Sequence, residues 1–158
     1  MSQGPVIIGF DGSPSAEHAL RQAAALLSVR EALVVTVWEA GAAYATFDSP
    51  AMQAAPMDLG AAAMADQAML EGVRQTAERG ARIAREAGFE VEGEGLVVNG
   101  EESTATALVR LAAEREASVV VVGSHGHGRL DRFLMGSTSQ HVVEHAGCPV
   151  LVVRTSER

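Results

Sequence analysis

The segment best suited to hold a phosphate starts at Gly123. It reads Gly123-Ser124-His125-Gly126-His127-Gly128-Arg129 and resumes at Gly136-Ser137-Thr138, a spacing of G-x2-G-x9-G-[ST]. Glycines let backbone N–H groups converge on an oxyanion with no Cβ in the way, and a helix starting at Gly136 adds its positive dipole end. The hydroxyls of Ser137 and Thr138 can donate to the same oxygens. Arg129 and Arg132 bring local positive charge, and His125 and His127 add donors that titrate near neutrality. Glycine-rich loops also serve as tight connections with solvated arginines; the complete spacing after a buried strand is what favours the phosphate.

Two familiar nucleotide loops can be set against this segment. A Walker loop ends in Gly-Lys-[Ser/Thr], and all twelve basic residues of this chain are arginine. The dinucleotide fingerprint needs G-x-G-x-x-G opening a helix directly, usually after the first strand, and here both order and spacing differ. A cradle in this chain must therefore rely on backbone amides, hydroxyls and arginine.

The elements that would position it follow from hydrophobic patterning. Val6 to Phe10 is a β-branched run closed by Asp11-Gly12-Ser13-Pro14, with Ser13 as a helix cap and Pro14 in the first turn. A helix follows to about Arg30, with Ala19, Leu20, Ala23, Ala24, Leu26 and Leu27 as its apolar stripe. Leu33 to Trp38 reads as a second strand. Gly41 to about Ala55 has no periodicity and reads as a mobile loop. A long helix from about Pro56 to Ala87 ends at Gly88, and Phe89 to Val98 is the third strand. Asn99-Gly100 is expected to turn the chain. The third helix carries Glu101 and Glu102 at its start, buries Ala105, Leu108, Val109 and Ala112, and ends near Glu116. Ser118 to Val122 suits a central parallel strand, then come a helix from Ser137 to His145 and a last strand, Val150 to Val153.

Five strands alternating with four helices predict an α/β fold, a five-stranded parallel doubly wound sheet flanked by four helices. Ligands of such sheets bind beyond the carboxyl ends of the strands, where strand order reverses. The turns after strands one and four are thus the places to look, and Asp11 stands at the first of them. Its plainer role is capping the first helix.

Other chemistry-bearing residues carry less. His141-Val142-Val143-Glu144-His145 matches H-x-x-E-H, but a third protein ligand is not evident, and a docked helix end with His145 as a C-terminal cap is the favoured reading. His125 and His127 can act as general acid or base, though donation of hydrogen bonds is the commoner role. Cys148 has no sequence-local base or cation and reads as a small buried residue. Met52, Met57, Met64 and Met69 suit either irregular core space or an adaptable partner surface.

Composition bounds the rest. The 158 residues, 47% hydrophobic, suit a single domain spanning 1–158 with a core that needs neither disulfide nor structural metal. Cys148 is the only cysteine, which excludes an internal disulfide and favours a reducing compartment. No apolar run is long enough to span a membrane, and Met1 to Pro5 lacks a secretory start, so a cytoplasmic location is expected. A net charge of -8 argues against nucleic acid as a partner.

The chain resembles the universal stress protein family nearly end to end. The likeness rests on Val6-Ile7-Ile8-Gly9-Phe10-Asp11-Gly12-Ser13, Val119 to Gly126, Gly136-Ser137-Thr138, and Cys148-Pro149-Val150-Leu151-Val152-Val153-Arg154. It implies an adenine nucleotide alpha hydrolase-like fold and the ATP-binding branch of the family. By position it implies Asp11 on the ribose or adenine side, Val37 lining the adenine pocket, and Gly9 allowing close approach. Gly123 to Arg129 with Gly136, Ser137 and Thr138 would take the phosphates, and Asp11 would reach Mg²⁺ through bound ATP. It also implies a homodimer through the Val150 to Val153 edge strand and a regulatory role in stress with an unidentified protein partner. Slow ATP hydrolysis, or self-phosphorylation at Ser137 or Thr138, is the alternative from the enzyme class; an interaction module with incidental nucleotide is another.

Overall fold

The computed structural model describes residues 4–39, 59–92, 96–100, 102–124 and 135–154. Its elements are β1 (Val6–Gly9), α1 (Pro14–Leu26), β2 (Glu31–Glu39), α2 (Leu59–Glu86), β3 (Glu90–Val91), β4 (Leu96–Gly100), α3 (Thr104–Glu114), β5 (Val119–Gly123), α4 (Ser137–His145) and β6 (Val150–Val153). All described strand pairs are parallel, in the order β3-β2-β1-β5-β6, with β4 also beside β2.

The expected third strand is thus present as two segments, β3 and β4, sharing one position next to β2. Val91 pairs with Ala32 and Leu96 with Val35, so five steps along one chain match three along the other. Five strand positions remain, as expected. Asn99 and Gly100 do not turn the chain. They extend β4, opposite Trp38 and Glu39, because the ladder with β2 continues to supply backbone partners.

Alternation along the strands divides the core between the two faces. Val6, Ile8, Val34 and Val121 meet Ala19, Leu20 and Ala23 of α1 and Ile83 and Ala84 of α2. Ile7, Leu33, Val35, Val120 and Val122 meet Leu108, Leu111 and Ala112 of α3 and Val142 of α4. This is the doubly wound arrangement, and both halves are dry: Ile7, Ile8, Leu20, Val120 and Val142 are inaccessible to solvent.

The helix ends show where sequence reasoning misjudged. α1 stops at Leu26 rather than Arg30. Leu27 is already extended, and the Arg30 guanidinium reaches back 3.0 Å to the Ala24 carbonyl, satisfying an end that no glycine closes. Leu26, the last residue of α1, is exposed and not part of the apolar stripe, while Leu27 stays partly buried. α3 closes at Glu114, with Glu116 in the left-handed region at φ 48°. Its cap is Ser103, whose hydroxyl accepts from the Thr106 amide at 3.2 Å. α2 ends as expected: Gly88 takes φ 104°, and the amide of Phe89 returns to the Ala84 carbonyl. Residues 41–55, including Met52, and also Met57, Glu101 and Arg132, lie outside the described residues.

Candidate functional site

Strand order reverses between β1 and β5, and α1, which follows β1, starts against the end of β5. β1 runs into Phe10, whose amide donates to the Val35 carbonyl, while the Thr36 hydroxyl donates 2.8 Å to the Phe10 carbonyl. These bonds fix the strand's carboxyl end. Asp11 then accepts from the Ser13 amide through Oδ1 at 2.9 Å, and Gly12 turns the chain at φ 80°. Ser13 caps α1 by accepting from the Ala16 amide at 3.1 Å, with Pro14 at the first helical position. Asp11 is exposed and braces the turn before α1, while the capping role expected of it belongs to Ser13.

The second half of the site is built on β5. Its last residue, Gly123, lies against the first turn of α1: a Cβ there would stand 2.7 Å from Ser15 Oγ and 3.3 Å from the Ser15 backbone. Ser124 follows, buried, with its amide on the Val153 carbonyl of β6 at 2.8 Å. Its own carbonyl accepts from the Gly136 amide at 2.8 Å. The chain therefore leaves β5 at Ser124 and returns to the same residue at Gly136. The buried Ser139 hydroxyl donates 2.9 Å to the Gly136 carbonyl and tightens that return.

α4 begins at this point. Gly136 is its N-cap and has no side chain with which to take up a first-turn amide as Ser13 does in α1. Ser137 is exposed and Thr138 half-buried at this start. An uncapped helix start presents N–H groups without intrahelical partners and the positive end of its dipole. Chemically the arrangement suits an oxyanion.

Of the sequence-predicted residues, Asp11, Gly123, Ser124, Gly136, Ser137 and Thr138 are brought to this one end of the sheet. Gly9 is the last residue of β1, and the room left by its missing side chain is taken by Leu108 at 3.1 Å and Val122 at 3.5 Å from the position of a Cβ. Its local role is to let α3 pack on the sheet. Val37 lies in β2 opposite Val98 and packs on the α3 face. His125, Gly126, His127, Gly128 and Arg129 lie outside the described residues.

Sequence reasoning missed Arg79. From α2, its guanidinium meets Glu17 at 2.9 Å and the Gly12 carbonyl at 3.4 Å, while Thr76 closes on Gly12 from the same helix. The Arg21 hydrogen bond, and then Arg79, hold the Glu17 carboxyl below the usual carboxylate range against the opposing effect of burial. Nothing local in sequence links Arg79 to Gly12, 67 positions away.

Other expectations can also be placed. His145 does close α4, its Nδ1 2.8 Å from the His141 carbonyl, but Val143 is 45% exposed, and Val142 with Ser139 docks the helix. Cys148 is partly buried, and burial raises its thiol pKa. Met64 and Met69 face solvent and fill no core space. Among the described residues no helix is long and apolar enough to cross a membrane.

Comparison with known proteins agrees with this architecture. A universal stress protein of Staphylococcus aureus strain USA300 is 46% identical over 48 residues, a stretch covering 30% of this chain and 29% of that protein. A universal stress protein solved in complex with cAMP is 24% identical, covering 99% of this chain and 100% of that one, with a TM-score of 0.64. The universal stress protein of Archaeoglobus fulgidus in complex with dAMP is 23% identical, covering 96% and 98%, with a TM-score of 0.60. The universal stress protein family pattern matches residues 4–154, nearly the whole described chain, and the protein belongs to that family.

Proposed function

We propose that this chain, as one domain over residues 1–158, binds ATP as a regulatory protein of the stress response. The observation that carries the reading is the placing of two helix starts at the end of β5, α1 against Gly123 with Ser13 as its cap and α4 returning to Ser124 with only a glycine at its cap. Relatives of the same fold crystallised with cAMP and dAMP support an adenine nucleotide as the ligand. In this reading Gly123 to Arg129 and Gly136, Ser137 and Thr138 hold the phosphates, and Gly9, Asp11 and Val37 border the nucleoside. Mg²⁺ would arrive with ATP and be reached by Asp11. With no lysine to neutralise a γ-phosphate, holding ATP is favoured over cleaving it.

The family resemblance and the position of β6 at the end of the strand order support a homodimer paired through Val150 to Val153. The cytoplasm is the compartment proposed.

Calorimetric titration of nucleotide-free protein with ATP, ADP and AMP tests the reading. One equivalent of ATP is expected, weakened in Gly126→Ala and in Ser137→Ala/Thr138→Ala. Gly123→Val is a poor probe, because its side chain would collide with Ser15 and disturb α1. No heat of binding with any of the three nucleotides would remove the proposal.

A further inference from the structure

His141 and His145 stand one turn apart on α4, in its second half beyond Ser137 and Thr138. Their rings stack with centroids 4.0 Å apart and planes 20° from parallel. Nδ1 of His145 lies 2.8 Å from the His141 carbonyl oxygen. A carbonyl only accepts, so this nitrogen donates and Nε2 keeps its lone pair. A ring N–H given to a backbone carbonyl is the arrangement that fixes tautomer and orientation in metal-ligating histidines.

Distance and charge point the same way. Two imidazole nitrogens bound at about 2.0–2.1 Å to one ion stand roughly 3 Å apart, and because the stacked rings lie nearly parallel, one ring must rotate out of the stack for both Nε2 lone pairs to meet the ion. His145 is exposed and His141 half-buried, which leaves room for that rotation, while the fully buried Val142 anchors the backbone between them. The carboxyl end of a helix favours a cation. Glu144, hydrogen-bonded to Gln140 at 2.9 Å, adds a carboxylate beside the pair, and the whole chain carries a net charge of -8.

We infer that His141 and His145 chelate one late first-row divalent transition-metal ion, with water completing the coordination shell. Imidazole suits Zn²⁺, Ni²⁺ and Cu²⁺, and affinity should follow the usual order with Cu²⁺ tightest. Among the described residues no three His, Cys, Asp or Glu side chains converge, so the pair supplies the two ligands the described residues offer. It is neither a closed structural zinc centre nor the peptidase site that H-x-x-E-H suggests. The inference is independent of the nucleotide proposal.

The test is calorimetric titration of nucleotide-free protein with Ni²⁺, beside Cu²⁺ electron paramagnetic resonance for nitrogen ligation. One variant, His18→Gln/His125→Gln/His127→Gln, removes the other three of the five histidines. A second, His141→Gln/His145→Gln, removes the pair, with circular dichroism confirming that each variant is folded. The first variant should keep one equivalent of Ni²⁺ and a two-nitrogen copper signal. The second should lose at least about tenfold in affinity. Unchanged binding by the second variant, loss of binding by the first, or no binding by the unmodified protein would each overturn the assignment.

Discussion

Gly123→Ala should destabilise the protein although alanine is ordinarily the easier residue to fold. Fewer conformations are available to alanine in the unfolded chain, which by itself stabilises by about 0.4–1 kcal/mol where the native backbone suits it. The native surroundings act against this. The added Cβ would stand 2.7 Å from Ser15 Oγ and 3.3 Å from Ser15 backbone atoms, and Ser15 is buried in the first turn of α1. A hydroxyl can rotate away, but the backbone can yield only if α1 shifts off β5. Overpacking of this kind costs about 1–3 kcal/mol, so the net loss should be roughly 1–2 kcal/mol. For a chain of this size that corresponds to a melting temperature lower by about 2–8 °C. Gly147→Ala supplies the control, since nothing lies within 4 Å of its Cβ position and it should be neutral or slightly stabilising. Thermal denaturation followed by circular dichroism, with urea midpoints alongside, measures both. A Gly123→Ala variant melting at or above the unmodified protein would refute the close contact between β5 and α1 on which the site depends.

Gly80→Ala sets helix propensity, worth about 1 kcal/mol in its favour, against a Cβ 2.6 Å from Phe10 and 2.9 Å from Val34; a lower urea midpoint is expected. Ser13→Ala removes the α1 cap and should cost about 1 kcal/mol by the same assay. Because the Glu17 carboxyl titrates below its unfolded value of 4.5, its contribution to stability is present above that pH and fades as pH falls through the folded value. Glu17→Gln should therefore flatten the acid limb of the stability profile and leave the alkaline limb unchanged. Burial raises the Cys148 pKa, so alkylation of native protein at pH 7 should be slower than that of a free thiol and should accelerate on unfolding.

Much of this architecture is legible in the sequence because the signals are local. Ser13-Pro14 announces α1, Gly88 ends α2, and the bounds of α4 and β6 can be read from capping and β-branched runs. The misjudged elements depended on partners outside their own local pattern. Arg30 closes α1 through a side chain, and Asn99-Gly100 stays extended because β2 continues beside it. The same distinction holds at the site. The switch point and its glycines follow from strand order, but the reason for glycine at 123 lies in Ser15, and at 9 in Leu108. In both places the missing side chain makes room for a neighbouring helix. No pattern within one segment could have separated that from room for a ligand.

The two helix starts at the switch point also differ in what they can offer an anion. In α1 the Ser13 hydroxyl takes up a first-turn amide, and Glu17 places a carboxylate in that turn, partly balanced by Arg21 and Arg79. Both features reduce the positive field there. α4 has a glycine at its cap and no acidic residue in its first turn. In a chain of net charge -8 without lysine, this start is the better local source of positive potential. On the proposed reading, then, phosphate affinity should depend more on α4 than on α1. Gly136→Asp, which supplies both a cap and a negative charge at φ -61° and ψ 152° that any residue adopts, should stabilise α4 while weakening ATP. Equal affinity in that variant would place the phosphates elsewhere.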